Sequence, residues 1–207
     1  MRGVNDPWRS PLAARLTLLC HAATAAMREG AFPAPEDPLD DGGVRKANDY
    51  RLSEGKADLF MVSPALAARQ TADALGLEAS IVHSLRDVDQ GGWAGHSFET
   101  IHQRDAAALS AWLADPAKGA PDGESLIDAR DRISPWLDAQ ARRDLHLLAI
   151  THPMVIRAIL SAALDISLPA TMRIDVAPLT AVRLSFNGGW RLQAITGGRA
   201  DILDRSG

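Results

Sequence analysis

At 207 residues the chain is long enough for one domain with a full core and too short for two comfortable ones. Its formal net charge of -4 comes with no long run of Lys or Arg, so the charge balance offers no surface for nucleic acid or for an anionic membrane. The single cysteine, Cys20, rules out an internal disulfide framework, and no segment approaches the roughly 20 apolar residues of a membrane span.

In chain order, residues 1–14 mix Gly, Asn, Pro and Ser without a period and read as an N-terminal arm. Arg2, Arg9 and Arg15 precede an apolar run as in an export signal, but His21 breaks that run and Asp6, Pro7 and Pro11 interrupt its start. The expectation is a cytoplasmic protein with a single domain over 15–196 and a tail over 197–207.

Leu16 to Cys20 reads as a buried parallel strand ending at His21. A loop from Arg28 to Asp41 follows, with Pro33, Pro35 and Pro38, and then a helix from Val44 to Leu52 capped by Asp40 or Asp41. Residues Ala57 to Ser63 form the next strand, and Ser63-Pro64 caps and starts a helix from Ala65 to Leu75 that stops at Gly76. Ser80 to His83 is a short strand. Leu85 to Gly95 is a loop, Phe98 to Leu113 a helix, and Ser125 to Ala141 a helix that Pro135 kinks or restarts. Leu145 to Thr151 is the strongest strand and ends at His152; Pro153 opens a helix to Leu164. Thr180 to Phe186 and Trp190 to Ile195 flank Asn187-Gly188-Gly189 as a hairpin. Alternating strands and helices predict an α/β three-layer sandwich, a mostly parallel central sheet with helices on both faces.

Two of these strands end in a histidine. In such sheets ligands bind at the carboxyl edge, so strands distant in sequence can bring His21 and His152 to one cleft. The other histidines, His83, His96, His102 and His146, show no metal-ligand spacing with a carboxylate, and no metal or cofactor is expected.

Five stretches in order, Cys20-His21-Ala22-Ala23-Thr24, Ser63-Pro64 to Gln70-Thr71-Ala72, Leu85 to Gly95, Gly123-Glu124-Ser125 and Thr151-His152-Pro153, resemble the motifs of the histidine phosphatase, or phosphoglycerate mutase-like, superfamily. The resemblance implies that His21 takes the phosphoryl group, that His152 is the second pocket imidazole and that Asp87 is the acid, where the family usually has Glu. A neutral imidazole nitrogen is nucleophilic near pH 7 and forms a covalent intermediate that water cleaves.

Cys20 and Ala67 stand where the resemblance implies the two phosphate arginines, and Ala22 replaces the motif glycine. One such arginine is worth around 10³–10⁵ in rate. Candidates to replace them in the phosphate pocket are Thr24, Arg28, Arg45 and Arg69, although Arg69 follows Ala67 by about 200° of helix. Cys20 lacks the downstream arginine of cysteine phosphatases and reads as a small buried hydrophobe; a redox sensor at Cys20 requires an exposed thiol with a lowered pKa.

The sequence thus points to a divergent phosphomonoesterase working through phosphohistidine at His21, with weak or impaired turnover. The alternative is a non-catalytic module that binds a ligand or protein. The expected partner is a small phosphorylated or other anionic ligand, with no nucleic acid and no membrane. The oligomeric state stays open, a homodimer included.

Overall fold

The computed structural model describes residues 14–51 and 57–197. The arm expected over 1–14 and the tail expected over 197–207 lie, except for Ala14 and Gly197, outside the described residues.

Among the described residues a six-stranded sheet has the order β3-β2-β4-β1-β5-β6. Its strands are β1 (Ala14–Cys20), β2 (Leu59–Val62), β3 (Ser80–Ile81), β4 (His146–Thr151), β5 (Ala181–Phe186) and β6 (Trp190–Thr196). Strands β1 to β4 pair in parallel, while β5 runs antiparallel to both β1 and β6. The sheet is therefore mixed, with its parallel part built from crossover units and its antiparallel edge from the expected hairpin.

The helices are α1 (Ala25–Glu29), α2 (Asp41–Asp49), α3 (Leu66–Ala74), α4 (Phe98–Ala114), α5 (Leu126–Ala141), α6 (Pro153–Leu164) and α7 (Leu168–Thr171). Side-chain alternation in the central strands decides which helices cover which face. Leu16, Leu18 and Cys20 of β1, with Leu147 and Ala149 of β4, join Ile133 and Leu137 of α5 and Ile156 and Ile159 of α6 in one core. Leu19, Leu148 and Ile150 point the other way and meet Ala68 and Ala72 of α3. Both faces of β1 and β4 are apolar for that reason.

Local chemistry explains where the elements differ from the sequence reading. The segment expected to be loop from Arg28 onward begins inside α1, because Thr24 accepts the Met27 N–H at 3.3 Å and Gly30 closes the turn at φ 66°. Helix α2 has Asp40, one of the two expected residues, as its N-cap: the carboxylate accepts the Gly43 N–H at 2.6 Å, and the helix runs Asp41–Asp49. Pro135 lies inside a single continuous α5, whose start is a capping box between Ser125 and Asp128. The interruption is instead in α4, at Asp105, where φ is -154° and the carboxylate accepts the Ala108 N–H at 2.8 Å and so caps a new helical start.

Candidate active site

Strands β2, β4 and β1 are adjacent, and the residue following each, Ser63, His152 and His21, arrives at the same edge. The His21 N–H donates to the Thr151 carbonyl at 2.9 Å, and the Leu179 N–H reaches back to the carbonyls of Cys20 and His21 at 3.1 and 3.3 Å. These backbone bonds hold the β1 end in place. The two imidazoles lie with ring centroids 4.9 Å apart and planes at 65°.

The Nδ1–H of His21 donates to the Ala22 carbonyl at 2.7 Å, which leaves Nε2 as the nitrogen with the lone pair. Nε2 has no hydrogen-bond partner among the described residues, and His21 lines a cavity of about 310 Å³. Burial first, and then the neighbouring His152, hold His21 down at about 4, so its ring is neutral near pH 7.

His152 is fixed from both sides. Its Nε2 is 2.7 Å from Ser63 Oγ, an oxygen that also accepts the Ala65 N–H at 3.2 Å; with the ring proton on Nδ1, toward the Asp87 carboxylate, Nε2 accepts from the serine hydroxyl. The remaining Nδ1–H faces Asp87 Oδ2 at 3.4 Å. Burial holds His152 at about 3, so the contact with Asp87 is that of a neutral ring and not an ion pair. The expected cap of α3 is corrected: its N-cap is Ala65, and the Ser63 hydroxyl accepts the N–H of Ala65 itself rather than one inside the helix.

Asp87 lines the same cavity, its Oδ1 accepting the Val88 N–H at 2.8 Å. Desolvation pushes it up to about 6, against the lowering effect of that bond. The arrangement thus places a neutral imidazole with a free nitrogen beside a carboxyl group that holds a proton in mildly acidic solution.

The candidate cations are placed differently from Thr24, which lines the cavity while its hydroxyl caps α1. Arg28 pairs with Asp40, Arg45 is exposed on α2, and neither they nor Arg69 line the cavity. The arginine that does is Arg86, not singled out from the sequence although it stands in the quoted Leu85 to Gly95 stretch. It touches Glu124 at 3.3 Å, while Arg132 grips both oxygens of Glu124 at 2.7 and 2.8 Å.

The two positions lacking arginine also part company. Ala67 lines the cavity, whereas Cys20 packs in the core beneath α5 and α6. Burial and then Asp87 push the Cys20 thiol well above its ordinary range, which removes the premise of an exposed, reactive sensor.

The chain is 26% identical over 164 residues to phosphoserine phosphatase 1 of Hydrogenobacter thermophilus, covering 74% of this chain and 78% of the relative. Its fold matches an alpha-ribazole phosphatase from Shigella flexneri at TM-score 0.79, with 20% identity and coverage of 89% of this chain and 96% of the other. It also matches a phosphoserine phosphatase mutant from Entamoeba histolytica, solved in complex with phosphoserine, at TM-score 0.76, with 18% identity and 89% and 98% coverage. The family model of the histidine phosphatase superfamily, branch 1, matches residues 16–196, and the chain belongs to that superfamily.

Proposed function

We infer that the protein hydrolyses small phosphomonoesters through a phosphohistidine on His21. The single observation that carries this reading is the unpartnered Nε2 of a neutral, buried His21 opening into the cavity beside Asp87.

In the first step Nε2 attacks phosphorus and the bond from phosphorus to the ester oxygen breaks. Protonated Asp87 gives its proton to the departing alcohol. The resulting carboxylate then takes a proton from water as the water attacks phosphorus, and the P–N bond breaks to return neutral imidazole and inorganic phosphate. His152, held by Ser63 and facing Asp87, lines the cavity and keeps the pair in register.

Charge on the transferred oxygens must be met by oriented donors. Arg86 supplies a guanidinium: Glu124 keeps Arg132 when Arg86 leaves, so its release costs about 0–1 kcal/mol, the range of an exposed ion pair. The start of α3, where Ala65 and Ala67 line the cavity, adds the positive end of a helix. With Arg86 the one arginine in the lining among the described residues, turnover is expected to be slow. That same scarcity of guanidinium favours the second reading, a cleft that binds without turning over.

Incubation with p-nitrophenyl phosphate, followed by phosphate release and by mass spectrometry of the acid-quenched protein, separates the two. Release that vanishes in His21→Ala, with a labile phosphoryl adduct on His21, is expected. Equal release from wild type and His21→Ala would overturn the hydrolase reading, and bound ester without release would establish the alternative.

A further inference from the structure

We propose that the cavity takes a phosphomonoester whose alcohol half carries a hydrogen-bonding ammonium group, received by the carboxylates of Glu36, Asp37 and Asp89. The proposal rests on the phosphatase reading above and names the substrate class for the same site.

Among the described residues Glu36, Asp37, Asp87 and Asp89 line the cavity against the single cation Arg86, which Glu124 already contacts. Both imidazoles are neutral near pH 7 and contribute no positive charge. Even with Asp87 protonated, the lining is therefore net negative. A simple alkyl phosphate would bring more negative charge into that field, and like charges repel. An ammonium on the ligand reverses the sign of that interaction for the half of the molecule that meets the carboxylates.

The acids come from two loops that flank the nucleophile. Glu36 and Asp37 sit on the proline-rich loop between α1 and α2, and Asp89 on the loop after Asp87. Asp37 Oδ2 accepts the Ala34 N–H at 2.8 Å and Asp89 Oδ1 accepts the Gly91 N–H at 2.9 Å. Each loop thus holds its carboxylate by one oxygen, and the other oxygen has no partner among the described residues. Between them, His21 is 4% exposed and directs its unpartnered Nε2 into the same space.

Two features narrow the cation. Among the described residues no three His, Cys, Asp or Glu side chains converge closely enough to hold a metal ion, so the carboxylates suit a larger, organic charge. Among the described residues no Phe, Tyr or Trp lines the cavity, so these form no aromatic cage of the kind quaternary ammonium groups favour. A primary or secondary ammonium, which donates hydrogen bonds to carboxylates, fits instead. The volume of about 310 Å³ restricts the ligand to a small one.

The test compares 2-aminoethyl phosphate with propyl phosphate, which replaces the ammonium by a methyl group of similar size. Binding is measured by calorimetry on His21→Ala, which makes it independent of turnover, and kcat/KM on the wild type. The aminoethyl ester is expected to be preferred at least about tenfold in both, and Asp37→Asn with Asp89→Asn to bring the two esters toward parity. Equal binding of the two esters, a preference unchanged in the double variant, or equally tight binding of choline phosphate would overturn the proposal. His21-dependent hydrolysis without preference would sink this inference and leave the phosphatase reading standing; a binding preference without turnover would do the reverse.

Discussion

Cys20 and Thr151 are register partners across the parallel pair of β1 and β4, and that pairing puts His21 beside His152. Each histidine is the next residue on its own strand, so no side-chain search is needed to bring them together. A slip of one residue in this register would turn every core side chain of one strand to the opposite face. The packing of Leu16, Leu18 and Cys20 against α5 and α6 therefore holds the site geometry as well as the core.

The first prediction concerns the pH profile. Attack needs neutral His21, held at about 4, and leaving-group protonation needs protonated Asp87, pushed up to about 6. kcat/KM should rise as pH climbs through about 4 and fall as it passes about 6. Asp87→Asn should lower the rate by about 10²–10⁴ and abolish the alkaline limb, measured in the same buffers and with the same ester so that ester ionisation cancels.

Stability carries the same protons with two signs. In the unfolded chain His21 and His152 titrate near 6.5, but in the fold they are held at about 4 and about 3, so the unfolded state binds more protons between those values. Their contribution is complete above 6.5 and is lost as pH falls through the folded values. Asp87 acts oppositely: its raised pKa contributes stability below 3.8 that is lost as pH rises through about 6. Denaturant midpoints between pH 4 and 7 should fall less on acidification in His21→Ala/His152→Ala than in wild type.

Thr71 links the segment after β1 to α3. Its buried hydroxyl accepts the Ala22 N–H at 3.0 Å and donates to the Ala67 carbonyl at 2.7 Å. Thr71→Val leaves a buried N–H unpaired and should cost about 1–3 kcal/mol in urea unfolding, whereas Thr71→Ser should cost less.

Neighbouring glycines in α2 should respond unequally. A Cβ on Gly43 would stand 2.2 Å from the Ala23 carbonyl oxygen, which is backbone, while one on Gly42 would meet the movable end of Arg28 at 3.0 Å. Gly43→Ala should destabilise by about 1–3 kcal/mol or more, with Gly42→Ala markedly milder; thermal unfolding of both variants compares them.

Adding back a guanidinium should succeed at one position only. Ala67→Arg projects into the cavity and should raise kcat/KM about tenfold or more toward simple phosphomonoesters. Cys20→Arg places a charge in the core near Arg157 and should lower the yield of folded protein, read by circular dichroism and size-exclusion chromatography.

Much of the architecture was legible in the residue pattern. Apolar runs ending in His21 and His152, Gly76 closing α3 and Asn187-Gly188-Gly189 between β5 and β6 announce their elements locally, through period, φ freedom and turn chemistry. Short α1 and the break at Asp105 were missed because each depends on one side-chain cap rather than on a period.

By itself, then, the sequence determined an alternating α/β chain, two strand-end imidazoles, and a Cys and an Ala at positions 20 and 67. Tertiary structure decided which strands are neighbours, that Arg86 rather than Arg28, Arg45 or Arg69 faces the cavity, and that acids from the proline-rich loop face it too. That loop is placed by distant backbone bonds, Leu66 N–H to the Pro35 carbonyl and Phe32 N–H to the His96 carbonyl, both 2.9 Å. Periodicity reports which face of an element is buried, whereas the charge of a cavity is set by contacts between segments far apart in the chain, and no local pattern contains them.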